Sequence, residues 1–94
     1  MVIVKVFGNL KTILKTPELE IKIGSKDNTV NSVLNILTKQ FGEPLRRELL
    51  DSTGKIKAAY SIFVNGKNIV LSSGLSTKLG ENDVISILPV VEGG

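Results

Sequence analysis

Near its C-terminus the sequence reads Asp83-Val84-Ile85-Ser86-Ile87-Leu88-Pro89, an apolar run that predicts one β-strand. The residues after it are Val90-Val91-Glu92-Gly93-Gly94. Glycine has no Cβ, so a Gly-Gly pair can lie in a narrow channel of another protein and present its carboxylate there. The competing interpretation of this ending is a frayed tail of small residues without a function. The rest of the sequence bears on which of the two is right.

Four further segments have the pattern of strands. Residues 2–7 are largely apolar on both faces, as in a central strand, and residues 18–23 alternate strictly between polar and apolar. Residues 60–64 lead into Asn65-Gly66, a pair typical of a type I′ turn, and residues 69–71 are predicted to be the returning strand. Residues 10–15 fit either a loose helical turn or extended chain.

One main helix is predicted between residues 29 and 42. Thr29 can cap its N-terminus, Gly42 suits the position after its C-terminus, and the apolar residues between them recur with the helical period. These apolar residues are Val30, Val33, Leu34, Ile36, Leu37 and Phe41. Residues 44–50 are predicted to form a second, short helix with Pro44 in its first turn.

This order of elements predicts an α+β fold in which the main helix packs on one face of a mixed sheet of about five strands. The last strand is expected in the middle of the sheet, parallel to the first. It would then hold the base of the tail at a fixed point, from which residues 90–94 could reach roughly 15 Å. We therefore expect one domain, residues 1–90, followed by a flexible tail, residues 91–94.

The composition argues against an enzyme that works alone. The 94 residues include no Cys and no His, so a thiol nucleophile, a thiolate metal site and the commonest general base are missing. The net charge of +3 is dispersed and aromatic residues are few, which argues against nucleic-acid binding. Because the apolar runs are short and the N-terminus lacks a signal-peptide pattern, we expect a cytoplasmic protein without a membrane partner.

The whole chain resembles the ubiquitin-like β-grasp sulfur carriers. The similarity rests on Val64-Asn65-Gly66, on Leu79-Gly80-Glu81-Asn82-Asp83-Val84, and on the ending Leu88-Pro89-Val90-Val91-Glu92-Gly93-Gly94. Within the family the chain is most similar to the small subunit of molybdopterin synthase (MoaD), and less so to the thiamine sulfur carrier (ThiS) and the ubiquitin-related modifiers. The turn before the last strand lacks the frequent Asp-Gly-Asp, and Val90 stands where a second proline is common, so partner choice stays open.

The resemblance implies that Gly94 is the reacting residue. An adenylyltransferase of the ubiquitin-activating type (MoeB/ThiF-like), using ATP and Mg, would adenylate its carboxylate. Sulfur from the persulfide of a sulfurtransferase would then displace AMP and leave a thiocarboxylate. The large subunit of molybdopterin synthase (MoaE-like) would receive the tail and use the sulfur on the cyclic pterin precursor of molybdopterin. The carrier itself would bind no cofactor and no metal, and would not be catalytic alone.

The same resemblance assigns partner-binding roles to residues in and near the tail. These residues are Gly93, Glu92, Val91, Val90, Leu88 and Phe7. Gly93 would pass through the narrow part of the partner's channel, and Leu88 and Phe7 would make an apolar contact with the large subunit. The competing interpretation of Leu88 and Phe7 is ordinary packing in the core.

Other functions remain open from the sequence. A ubiquitin-like protein modifier would share the fold and the activation but transfer Gly94 to a lysine amine, and a related sulfur carrier would serve tRNA thiolation. The apolar run Leu88-Pro89-Val90-Val91 modestly favours the molybdopterin function. A small interaction domain with an incidental Gly-Gly is the third hypothesis, and it would keep its partners after loss of Gly93 and Gly94.

Overall fold

The last strand of the chain lies in the middle of a five-stranded sheet. The structure is a computed structural model, and it describes residues 1–90 of the 94. The strands are β1 (Val2–Val6), β2 (Glu18–Ile21), β3 (Tyr60–Val64), β4 (Lys67–Asn68) and β5 (Val84–Pro89). The helices are α1 (Asn9–Leu14), α2 (Val30–Phe41) and α3 (Glu43–Leu49). Two short 3-10 turns, Ile69–Leu71 and Gly74–Ser76, lie between β4 and β5.

The strand order across the sheet is β2-β1-β5-β3-β4. β1 and β5 run parallel, whereas the pairs β1–β2, β3–β5 and β3–β4 are antiparallel. Ile87 of β5 pairs with Val6 on one side and with Ile62 on the other, so the strand is bonded along both edges. The predicted mixed sheet, with its last strand central and parallel to its first, is confirmed.

The hydrophobic core lies on one face of this sheet. Val2, Val4 and Val6 of β1 and Ile85 and Ile87 of β5 point into it, and each is at most 1% exposed. The helices contribute the other large part of the core: Val30, Val33, Leu34 and Leu37 from α2, Leu10 and Leu14 from α1, and Leu45 and Leu49 from α3. The predicted apolar face of the main helix is thus buried, and two short helices pack beside it.

The ends of the main helix follow the local chemistry of the sequence. The hydroxyl oxygen of Thr29 accepts a hydrogen bond from the Ser32 N–H at 3.2 Å, as an N-cap does. Gly42 takes a φ of 74° and donates its N–H to the Thr38 carbonyl at 2.8 Å, and α3 then begins with Pro44 in its first turn. Both predicted helix boundaries are confirmed.

The returning strand of the hairpin differs from its prediction. Asn65 and Gly66 take φ values of 51° and 85°, as the type I′ turn requires. The strand after them is only Lys67–Asn68, and the predicted strand at residues 69–71 is instead a 3-10 turn. The reason is the Asn68 side chain, which accepts a hydrogen bond from the Val70 N–H at 3.0 Å and turns the chain away from extended geometry.

The structure also determines the conformation of residues 10–15 and the end of β2. Residues 10–15, which fitted either helix or extended chain, belong mostly to α1, because Leu10 and Leu14 lie one helical turn apart and both enter the core. β2 ends at Ile21, two residues earlier than the alternation in the sequence predicted.

A side-chain latch joins the β3–β4 hairpin to the start of β5. The Asp83 carboxylate accepts from the Asn65 side-chain amide at 2.9 Å and from the Gly80 N–H at 2.7 Å. The Asn65 side-chain oxygen accepts in turn from the Val84 N–H at 2.9 Å. The latch therefore fixes where β5 enters the sheet, which is the end opposite to the tail.

Asp83→Ala is expected to lower the free energy of unfolding by about 1–3 kcal/mol, because it removes two hydrogen bonds to a charged acceptor. Thermal or urea denaturation measures the loss. Asp27→Ala is the matched control, since Asp27 is exposed and makes no side-chain hydrogen bond within residues 1–90; its effect should stay within about 0.5 kcal/mol. Equal stability of the two variants would contradict the latch.

Candidate functional site

Val90, the last described residue, is hydrogen-bonded to the sheet. The Val90 N–H donates to the Ala59 carbonyl at 2.7 Å, one residue beyond the end of β5. Pro89, just before it, pairs with Tyr60 at the start of β3. We call this last rung, formed by the Val90 N–H and the Ala59 carbonyl, the tail anchor. It sets the position and direction from which residues 91–94 continue.

The predicted site residues of the tail itself lie outside the described residues. These are Gly94, Gly93, Glu92 and Val91, together with the predicted flexibility of this segment. Val90 is described, and its side chain is 45% exposed beside the tail anchor. The described part of the site is therefore the surface around Val90, which we call the platform.

Phe7 and Leu88 lie together on the surface and not in the core. Val6 and Ile87 form the last pair between β1 and β5, so Phe7 and Leu88, which follow them, lie beside each other on the opposite face of the sheet. Phe7 is 41% exposed, and Leu88 is half-buried. The core-packing interpretation of both residues is wrong, because the pleat turns them away from the helices. Their surface position leaves the contact with a partner as a prediction.

The face that carries these two residues is what we call the open face. Its side chains, all half-buried or exposed, are Ile3, Lys5, Phe7, Glu18, Glu20, Ser61, Phe63, Val84, Ser86 and Leu88. Ser61 lies opposite Leu88, and Phe63 lies opposite Ser86. The open face thus mixes aromatic, aliphatic and small polar side chains with charged ones, and the charged side chains lie on β1 and β2.

Gly8 allows the chain to turn directly beside the tail. It has φ 64° and ψ −135°, a backbone conformation that is essentially restricted to glycine. A Cβ at this position would lie 3.5 Å from Cγ of Pro89, an ordinary contact distance. The constraint on Gly8 is therefore its backbone conformation, and it follows immediately after Phe7.

Gly8→Ala is expected to cost about 1–3 kcal/mol of folding free energy, because alanine is strained at this φ and ψ. Gly24→Ala is the matched control. Gly24 has no positive φ, and a Cβ there would meet nothing within 4 Å, so its stability should change by less than about 1 kcal/mol. Equal denaturation midpoints for the two variants would show that alanine is not strained at position 8.

Tyr60 connects the start of β3 to α3. Its hydroxyl donates a hydrogen bond to a carboxylate oxygen of Glu48, and its side chain is 9% exposed. The pKa of Tyr60 is raised to about 12, chiefly by burial and then by the hydrogen bond to Glu48 and the negative charge of that side chain. The hydroxyl therefore stays protonated, and able to donate, well above neutral pH.

Sequence reasoning missed four residues of this platform: Gly8, Glu48, Ala59 and Tyr60. Glycine after a strand and a tyrosine at a strand start are both common, so neither type marks a site by itself. The pairing of Pro89 with Tyr60 places them at the tail, and this register is not contained in any local pattern.

The described residues show neither a metal cluster nor a membrane span. Within residues 1–90, no group of three or more His, Cys, Asp or Glu side chains comes together. Over the same residues, none of the helices is long and apolar enough to cross a bilayer.

Comparison with known proteins gives both a family and close relatives. The ThiS family model matches residues 4–94. A protein of Archaeoglobus fulgidus, named as a candidate sulfur carrier protein, is 35% identical over 75 residues; these cover 80% of this chain and 84% of that protein.

Solved structures share the fold along almost the whole chain. Small archaeal modifier protein 1 of Methanosarcina acetivorans is 34% identical, with a TM-score of 0.78, over 99% of this chain and 95% of that one. A candidate molybdopterin converting factor, subunit 1, of Pyrococcus furiosus has a TM-score of 0.73 at 21% identity, over 96% of this chain and 97% of that one, and shows the fold alone. These likenesses confirm the ubiquitin-like β-grasp fold.

Proposed function

The chain belongs to the ThiS family of β-grasp sulfur carriers, and on this premise we propose that it carries sulfur as a thiocarboxylate on Gly94. The observation that carries the proposal is the tail anchor, which extends the pairing of the central strand β5 with β3 as far as Val90. A rigid base followed by a short chain ending in Gly93-Gly94 suits insertion into the active site of a second protein.

The proposed chemistry takes place on the Gly94 carboxylate. The carboxylate attacks the α-phosphorus of MgATP in an activating enzyme, pyrophosphate leaves, and an acyl adenylate forms. A persulfide sulfur of a sulfurtransferase attacks the acyl carbon and AMP leaves; a thiol then cleaves the S–S bond and frees the thiocarboxylate. In the proposed steps the activating enzyme and the sulfurtransferase supply the acid and base groups. The carrier's own residues position the Gly94 carboxylate in their active sites.

The open face is proposed as the surface that these enzymes hold while the tail is inserted. Phe7 and Leu88 lie next to the tail base and expose apolar area that a partner could bury. Because the same tail must enter at least two enzymes in turn, each contact is expected to be reversible. An interface of modest area, with a small apolar centre and a polar rim, has that property.

We propose molybdopterin precursor as the sulfur acceptor, with a large subunit of molybdopterin synthase (MoaE-like) as the receiving partner. An adenylyltransferase of the MoeB/ThiF type would activate the chain, and a sulfurtransferase would load it. The support is the apolar sequence Leu88-Pro89-Val90-Val91 before Glu92.

A protein-modifier function is the second candidate, and one observation favours it. The solved structure at 34% identity is that of a small archaeal modifier protein. The modifier would share the adenylation of Gly94, after which a lysine amine, instead of sulfur, would attack the acyl carbon and displace the leaving group. The two functions differ only in the nucleophile that takes the activated glycine.

Intact mass spectrometry of the chain isolated from its native cells tests the proposal. We expect a fraction of molecules with one terminal oxygen replaced by sulfur, localised to Gly94 by fragmentation. Gly94 found only in isopeptide linkage to lysines of other proteins would favour the modifier function. A chain that forms no adenylate with ATP and its activating enzyme would overturn both.

A further inference from the structure

The end of β5 and the residue after it pair with Tyr60 and Ala59, at the start of β3. Ala59 supplies the carbonyl of the tail anchor, and Tyr60 pairs with Pro89. The ten residues before Tyr60 contain turns and one isolated bridge, Leu50 with Ile56, but no helix or strand. The start of β3 is therefore paired on one side only, with β5, because β4 pairs with no residue of β3 before Phe63.

Side-chain contacts of Tyr60 add to this one-sided pairing. Its ring is buried, and its hydroxyl donates to Glu48 on α3. α3 is in turn fixed to the core by Leu45 and Leu49, which are 1% and 0% exposed. A chain of contacts thus runs from the core through α3 and Tyr60 to the Ala59 carbonyl and the Val90 N–H.

We propose that Tyr60, held by Glu48, is a positioning residue that keeps the tail anchor closed and so orders the base of the tail before a partner binds. This inference rests on the proposed function, because ordering matters only if the tail is inserted elsewhere. A backbone residue that is already ordered in the free protein loses no conformational entropy on binding, so the affinity for the partner is higher. Loss of the contact should therefore weaken recognition of the tail without altering the reaction at Gly94.

Hydrogen exchange of the isolated protein tests the structural half of the proposal. In Tyr60→Phe, which keeps the ring and removes the donor, the Val90 amide should exchange on the order of tenfold faster relative to the Ile87 amide. Ile87 lies in the middle of the same strand and reports global opening. Glu48→Ala should have the same effect, whereas Glu48→Gln, which keeps an acceptor oxygen, should restore slow exchange at Val90.

Adenylation kinetics test the functional half. The chain's own activating enzyme is assayed by ATP–pyrophosphate exchange at saturating MgATP, with the carrier as the varied substrate. Tyr60→Phe and Glu48→Ala should raise KM for the carrier roughly three- to tenfold with kcat unchanged, and Glu48→Gln should resemble the native chain.

Thr29→Ala is the matched control for stability, because it removes the α2 cap and leaves the contacts of Tyr60 intact. It should leave both the Val90-to-Ile87 exchange ratio and KM unchanged. An unchanged exchange ratio or an unchanged KM in Tyr60→Phe would overturn the positioning role. A native chain that is not adenylated would overturn the proposed function and the role with it, while the exchange ratio would still report whether Tyr60 closes the anchor.

Discussion

Removal of Gly93 and Gly94 is expected to abolish adenylation while the domain stays folded. The truncated chain ends at Glu92, so its carboxylate lies about 7 Å short of the native position. Misplacement of a reacting group by ~1 Å already costs about a hundredfold in rate, so the activity should fall by at least about a thousandfold. The buried core residues identified all precede Pro89, and the free energy of unfolding should change by less than about 0.5 kcal/mol.

The truncated chain should also inhibit. It retains the open face and the tail anchor, so it is expected to compete with the native chain for the activating enzyme. Gly93→Ala is the informative control, because it keeps the length and the terminal glycine and adds one methyl group where the proposed function requires a narrow channel. An intermediate loss of activity in that variant is expected. Normal adenylation of the truncated chain would contradict the role of Gly94.

The sequence was sufficient where a structure depends on neighbouring residues. Thr29, Gly42 and Asn65-Gly66 each have a local chemical reason for the turn or cap they form, and the structure confirms them. The apolar residues of the first strand likewise predicted a strand inside the sheet, as β1 is. The place of the last strand, in the middle and parallel to the first, was predicted from the order of the elements.

The sequence was insufficient where a residue's position depends on register between distant segments. Nothing local indicates that Ala59 faces Val90. Residues 69–71 differ for a local reason: their pattern fits a strand, but the Asn68 side chain competes for the backbone. Phe7 was left undecided between the core and the surface. Its residue type favours the core, but one step of the pleat beyond the buried Val6 brings it to the surface.

Phe7→Asp is expected to give the second largest effect, a loss of affinity for the activating enzyme. A charge placed at the apolar centre of an interface must be desolvated there without a partner, and hot-spot residues of this kind typically contribute 2–4 kcal/mol, or roughly 30- to 1000-fold in Kd. Because Phe7 is 41% exposed in the free protein, folding should lose less than about 1 kcal/mol. Titration calorimetry with the activating enzyme measures Kd, and thermal denaturation measures stability.

Val70→Asp distinguishes a specific contact from a general effect of added charge. Val70 is also an exposed apolar residue, at 81%, but it lies in the 3-10 turn after β4, at the edge of the sheet away from β1. The variant introduces the same residue and the same change in net charge as Phe7→Asp, so any long-range electrostatic effect should be similar in both. We expect its Kd to stay within about threefold of the native value. Equal weakening by both substitutions would mean that the enzyme responds to charge and not to the open face, whereas selective weakening by Phe7→Asp would place the docking surface beside the tail.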